Sequence, residues 1–229
     1  MSLEQLETAL GHTFADRDLL ERAMTHASWA NEYGGERDNQ RMEYLGDSVL
    51  NLAISTELFA RYSDWPEGKL SRLRSQLVCE ATLARMAVGL ELGKHLKLGR
   101  GEDTSGGREK PSLLADAYEA VLAALYLDGG FPVAQRFVLD AFADEIEAES
   151  ARQNKADFKT RLQELVQATS DLRPRYSIVG TEGPPHAREF TAEVKVGEEV
   201  LGTGLGMSKK AAQQEAARGA LDTLAARLT

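Results

Sequence analysis

Through the first 150 residues the apolar positions recur at helical spacing, and no stretch alternates as a strand does. LEQLETAL, behind Ser2 as a cap, and DRDLLERAMTHAS each predict a helix. Asp38 or Asn39 then caps a long helix from about Gln40 to Tyr62. EGKLSRLRSQLVCEATLARMAVGLELG predicts one further helix ending near Gly89, and LGRGEDTSGGREKP a polar, glycine-rich loop. SLLADAYEAVLAALYLDGG opens with Ser112 as a cap after Pro111 and closes on Gly129 and Gly130, and FPVAQRFVLDAFADEIEAE is the last helix of the group.

Around ESARQNKA the text turns polar and the periodicity fades, which predicts a linker over 150–156 between domains at 1–149 and 157–229. Beyond it the pattern changes. DFKTRLQELVQAT is an amphipathic helix, whereas RYSIVG and EFTAEVKV alternate as strands, Phe190, Ala192, Val194 and Val196 sharing one face. Gly197 and Glu198 turn the chain into a third strand, EVLGTGLG, and Ser208 caps a final helix, SKKAAQQEAARGALDTLAARL. Helix, three strands and helix make a small α+β domain.

A hydrophobic share of 42% with 28% charged residues is that of a globular chain of 229 residues. No apolar run approaches the roughly 20 residues a membrane span needs, and MSLEQLETALGHTF carries no basic-then-apolar leader, which predicts a cytoplasmic protein with no membrane partner. The one cysteine, Cys79, excludes an internal disulfide, and its place in a helical pattern predicts a small buried hydrophobe. The net charge of −9 argues against a nucleic-acid partner until it is divided. Residues 1–150 hold 15 Lys and Arg against 26 Asp and Glu, a net of −11, and residues 151–229 hold 12 against 10, a net of +2. An acidic domain is joined to a mildly basic one.

Glu43 and Asp47, four apart on an otherwise apolar helix, project together, and Gly46 between them leaves the backbone open to a close neighbour. Asp116 and Glu119, three apart, form a second pair on a second apolar helix. Were the pairs to converge, their mutual repulsion would call for a cation, and oxygen-only donors suit Mg²⁺ or Mn²⁺ rather than zinc. Such a centre favours phosphate chemistry. The alternative is two solvated helix faces balanced by Arg41, Arg72 or Arg74.

NQRMEYLGDSVL resembles the signature of the ribonuclease III family, and THASWAN, PEGKLSRLRSQLV and the stretch from LGRGEDTSGG to ALYLDGG follow in that family's order. The resemblance implies an all-α endonuclease domain that dimerises, with metal-binding carboxylates at Glu43, Asp47, Asp116 and Glu119, of which Asp47 and Glu119 bear most on hydrolysis. Glu67 matches a further acidic position near the site, and Tyr44 an aromatic that packs across the dimer, although packing within one subunit reads the same. Gln40 departs from the family's usual Glu, so an electrostatic role there does not carry over. His26 reads as a residue that fixes local structure, while Gly106, Gly107, Arg108 and Lys110 read as a mobile loop with solvated charges or, alternatively, as one able to grip a phosphate.

In the second domain LQELVQ, EGPPHAREF and SKKAAQQEAA resemble the double-stranded RNA-binding domain. That likeness places Gln163, Glu164 and Gln167 at one minor groove, His186 at the next, and Lys209 and Lys210 on the phosphates between. Together the resemblances imply a homodimeric, Mg²⁺-dependent endoribonuclease that cuts double-stranded RNA in rRNA and mRNA precursors, leaving 5′-phosphates and short 3′ overhangs. A non-catalytic dimeric duplex-RNA-binding protein is the alternative, and a phosphohydrolase of small phosphates would leave the second domain unexplained.

Overall fold

The computed structural model describes residues 3–34, 37–184 and 187–227, without the side chains of 154–156. The chain divides into two compact units, Met1–Glu149 and Ser150–Thr229. No helix among the described residues is long and apolar enough to cross a membrane.

The first unit is helical: α1 (Leu3–Leu10), α2 (Arg17–Ala23), α3 (Ala27–Tyr33), α4 (Gln40–Arg61), α5 (Glu67–Leu77), α6 (Glu80–Gly89), α7 (Leu92–His95), α8 (Arg100–Thr104), a 3-10 turn at Gly107–Glu109, and α9 (Pro111–Ala156). Its core joins Leu50, Ile54 and Leu58 of α4 and Leu73 and Leu77 of α5 to α9. Residues 120–125 of α9 are all fully buried, so this stretch runs through the middle of the unit, surrounded by apolar neighbours. Gly130 takes φ 77° and ψ 176° and breaks α9 into two helical stretches. Pro132 is tolerated because it opens the second stretch, where its missing N–H costs no hydrogen bond.

Several local expectations are corrected. The long helix expected from Glu67 to about Gly89 breaks at Val78 and Cys79, and Cys79 lies exposed in extended backbone before α6, so it is no core residue. The DRDLLERAMTHAS helix also breaks, because Thr25 pairs with Lys97 in a single parallel bridge and the His26 N–H donates to the Lys97 carbonyl. His26 accepts a hydrogen bond from the Ser28 N–H at Nδ1 and so caps α3, the structural role expected of it. The glycine-rich loop holds α8 and the 3-10 turn. Pro111 is the first residue of α9, which places Ser112 inside the helix instead of at its cap. The segment expected as a linker is helical as far as Ala156.

The second unit comprises α10 (Phe158–Thr169), β1 (Arg175–Glu182), β2 (Glu189–Val196), β3 (Glu199–Gly206) and α11 (Lys209–Ala226). The strands form one antiparallel sheet in the order β1-β2-β3, with Ala192 opposite Ile178 and Gly204. Phe190, Ala192, Val194 and Val196 all join a core with Leu162 and Val166 of α10 and Ala212, Ala216 and Ala220 of α11. The glycines of EVLGTGLG explain the fit. A Cβ on Gly202 would lie 2.5 Å from the Ala220 nitrogen, and one on Gly206 would lie 2.6 Å from the Ala212 nitrogen. Glycine on the strand and alanine on the helix therefore let α11 settle onto the β3 backbone. Asp157 caps α10 by accepting from the Thr160 N–H, and Ser208 caps α11 by accepting from the Ala211 N–H at 3.1 Å.

Candidate functional site

The centre of the first unit is a helix crossing. A Cβ on Gly46 would overlap the Glu119 carbonyl oxygen and lie 2.5 Å from its carbonyl carbon, so α4 and α9 meet backbone to backbone there. Helix geometry places Glu43 one turn before that contact and Asp116 one turn before Glu119. One carboxylate oxygen from each of Glu43, Asp116 and Glu119 consequently lies within 4.8 Å of the other two. Asp47 stands beside this trio. It is exposed, and the Asn51 side-chain amide donates to its Oδ1 at 2.8 Å and to its carbonyl at 2.9 Å.

The electrostatics register this crowding. Burial and the neighbouring Asp116, Asp38 and Asp47 charges hold Glu43 above the ordinary carboxylate range. Asp116 is raised by burial and by Glu80, against the opposing pull of His26 and Lys110. Glu119 is pushed up to about 8, by burial first and then by Asp47, Glu43 and Asp116. Although outside the trio, Asp47 exerts the largest charge effect on Glu119.

The alternative of solvated faces balanced by arginine does not describe this site. Among the described residues no lysine or arginine pairs with any of the four carboxylates, and Arg74 donates instead to Ser55 Oγ at 2.8 Å. An oxygen-only trio whose carboxyls are all raised by burial and by neighbouring acids fits a hard divalent cation.

The other positions fall elsewhere. Glu67 opens α5, where Ser71 Oγ donates to its Oε1 at 2.7 Å, and it stands apart from the trio. It lines a groove of about 400 Å³ with Phe59, Leu70 and Arg74. Tyr44 is 79% exposed and Phe59 75%, which removes packing within the subunit as the reason for either ring. With Leu52 they form an apolar stripe along one face of α4. Gln40, also exposed, lines a shallow groove with Arg41, Tyr44 and Leu45.

Arg108 is engaged within its own loop. Its guanidinium donates to both Asp103 carboxylate oxygens and to the carbonyls of Gly93 and Leu96, at 2.7 to 3.1 Å. This ties down the segment ahead of α9 and leaves little of the fork for a phosphate. Lys110 lies 3.6 Å from Glu102 and its charge eases the ionisation of Asp116.

On the second unit Gln163, Glu164 and Gln167 are exposed on α10, and Lys209 and Lys210 are exposed at the start of α11. His186 lies outside the described residues. Before it, Gly183 takes φ 88°, and a Cβ there would lie 2.5 Å from the Ala187 carbonyl oxygen.

Two residues with structural claims on the site went unread in the sequence. Asn51 carried a usable signal, since it follows Asp47 by four residues on the same helix. Glu80, whose charge reaches Asp116 from α6, carried none, because only the tertiary fold brings it near.

Comparison with known proteins extends over both units. A family model described as Ribonuclease-III-like matches residues 16–146, and one described as Double-stranded RNA binding motif matches residues 158–224. Ribonuclease 3 of Geobacter metallireducens is 47% identical over 228 residues, covering 98% of this chain and 93% of that protein. Ribonuclease 3 of Clostridium kluyveri is 43% identical over 221 residues, covering 96% of this chain and 91% of that protein. The crystal structure of the nuclease domain of ribonuclease III from Campylobacter jejuni superimposes with a TM-score of 0.59 at 38% identity, covering 63% of this chain and 95% of that one. A second structure of that domain, described for flexibility in a region involved in dimer formation, gives the same TM-score and identity over 62% and 97%.

Proposed function

The chain belongs to the ribonuclease III family and is an endoribonuclease acting on double-stranded RNA, and from that premise we propose that Glu43, Asp47, Asp116 and Glu119 are its metal-binding carboxylates. The observation that carries this reading is the trio of carboxylate oxygens, drawn from α4 and α9, within 4.8 Å of one another. The cation is Mg²⁺, with Mn²⁺ able to substitute, because both accept a site made of oxygen donors alone. When bound, such an ion supplies charge for the phosphate oxygens and acidity for the attacking water.

The chain's own groups prepare that chemistry. Asn51 fixes the Asp47 carboxylate by its amide hydrogen bond, and Lys110 and His26 favour the ionised form of Asp116. Glu119, pushed up to about 8, is the carboxyl whose ionised form a bound cation would most favour. The second unit supplies the hold on the duplex: Gln163, Glu164, Gln167 and His186 toward minor grooves, Lys209 and Lys210 toward the phosphates between.

The same reading makes the enzyme a homodimer, supported by the exposed stripe of Tyr44, Leu52 and Phe59 and by the groove that Glu67 lines beside Phe59. Each subunit then cuts one strand, leaving 5′-phosphates and short 3′ overhangs, in structured rRNA and mRNA precursors of the cytoplasm. The test is cleavage of long duplex RNA against single-stranded RNA, with Mg²⁺ and with a chelator. Short duplex products that appear only from duplex and only with the ion uphold the reading; equal cutting of single strands, or cutting undiminished by the chelator, overturns it.

A further inference from the structure

The start of α10 carries a lysine in a costly place. Lys159 is the second residue of the helix, where a positive charge opposes the macrodipole. Its ammonium is partly buried, donates to Gln213 Oε1 at 2.9 Å and lies 4.3 Å from the centre of the Tyr176 ring. The acceptor is a neutral amide. Burial, with the Lys210 charge adding to it and Asp157 opposing, pulls the Lys159 pKa down. Gln213 follows Lys209 by four residues and Lys210 by three, so it occupies the same face of α11 one turn on. The ammonium of an α10 residue is thus held as the next positive charge in line with Lys209 and Lys210.

The surroundings fix that placement. The Gln214 side-chain amide donates to Asp157 Oδ1 at 3.3 Å, and its oxygen accepts from the Lys159 N–H at 3.1 Å. Gln214 therefore pins the backbone of the first turn of α10 to α11, while Gln213 aims the side chain. These contacts bring the ammonium within reach of the Lys210 charge, which repels it, while Asp157 opposes that repulsion. A phosphate against the row would relieve that repulsion and offset the burial of the ammonium.

We propose that Lys159 is a third phosphate-contacting cation of the RNA-binding surface, carried by α10 and aimed by Gln213 of α11. The proposal rests on the assignment of Lys209 and Lys210 to the RNA phosphates. Duplex binding by the full chain, measured without divalent ion so that nothing is cut, tests it. The duplex is of about 20 base pairs, longer than the ~16 that such a domain spans, and affinity is followed against salt concentration.

Lys159→Met keeps the apolar stem on Tyr176 and removes the charge. It should weaken binding about three- to tenfold and make the slope of log affinity against log salt shallower by about one, while Lys159→Arg keeps the slope. An unchanged slope in Lys159→Met, whatever the affinity, means that the lysine only links the two helices, and the proposal fails. Where the methionine variant does not fold, Lys159→Gln keeps a donor for Gln213 without the charge and answers the same question. Lys209→Ala with Lys210→Ala runs in parallel. If that pair also leaves the slope unchanged, the RNA-facing assignment itself is at fault; if the pair flattens it and the uncharged Lys159 variants do not, only this inference falls.

Discussion

At Gly46 a helix of the first unit rests on the backbone of Glu119, and at Gly202, Gly204 and Gly206 a strand of the second unit rests on α11. Both contacts depend on the missing Cβ, yet they serve opposite electrostatic ends. The first presses half-buried acids together, so that Glu119 is pushed up to about 8. The second lets an alanine-faced helix settle on the sheet and leaves Lys209 and Lys210 exposed and solvated at its start. Close packing thus raises the energy of charges in one unit and merely presents them in the other. By the proposed function the first site takes a cation at short range, whereas the second attracts a polyanion over a distance set by salt.

The largest effect that separates the two units is loss of a carboxylate. Asp47→Asn and Glu119→Gln should each lower duplex cutting on the order of 10³-fold, since metal assistance supplies several kcal/mol and each 1.36 kcal/mol is about tenfold. Duplex binding should hold within about twofold in the same preparations. Cutting at the parent rate in either variant would remove that residue from the site.

Next comes the crossing itself. Gly46→Ala forces α4 off Glu119 and should cost about 1–3 kcal/mol in urea unfolding, as overpacking does. It should also weaken Mg²⁺ binding, because the trio opens with the helices. Gly204→Ala, set against the backbone of Ala216 and Glu215, should cost a similar amount in the second unit and leave Mg²⁺ binding untouched. Equal loss of ion binding in both variants would erase the distinction drawn between the two contacts.

Lys209→Ala with Lys210→Ala should make the salt slope shallower by about two and leave turnover at saturating RNA near the parent value. Turnover reduced as much as affinity would place these lysines in the chemistry instead.

The remaining effect is that of pH on the ion-free protein. Glu119 is raised from 4.5 to about 8 by the fold, so between those values the folded chain holds more protons than the unfolded one. Its contribution to stability is therefore intact below about 4.5, declines as pH rises toward 8, and is level above that. Urea midpoints taken across this window without divalent ion should fall, and Mg²⁺ should flatten the profile while releasing protons near neutrality. A profile already flat without the ion would show that Glu119 ionises freely.

Much of this was legible in the residues. The three strands, both terminal helices of the second unit and the two acid-bearing helices follow from period, and Ser208 caps α11 as its place suggests, whereas Ser112 falls inside α9. Both acidic pairs stand out because carboxylates on apolar helices need a reason. What spacing did not convey is that Asp47, on the same face as Glu43, stands beside the trio rather than within it, because a second helix chooses which oxygens meet. The break at Val78 and Cys79 went unread because neither residue is a helix breaker, and packing decided it. Arg108 reads as a phosphate ligand only where its loop is taken as mobile; the carbonyls that occupy it come from Gly93 and Leu96, far from it in the linear pattern. The tie between Lys159 and Gln213 spans 54 residues, beyond any local pattern.

The contact between Gly46 and Glu119 also sets a moment in the life of the chain. Seventy-two residues lie between its two halves, so during synthesis α4 leaves the ribosome with Glu43 and Asp47 spread in water, ordinary acids on an unfinished surface. The trio cannot exist until the first stretch of α9 has emerged and packed, which at roughly 5–20 residues per second leaves several seconds of delay. With these carboxylates as the proposed centre, a nuclease made beside RNA is born in two harmless pieces, and the act of folding arms it.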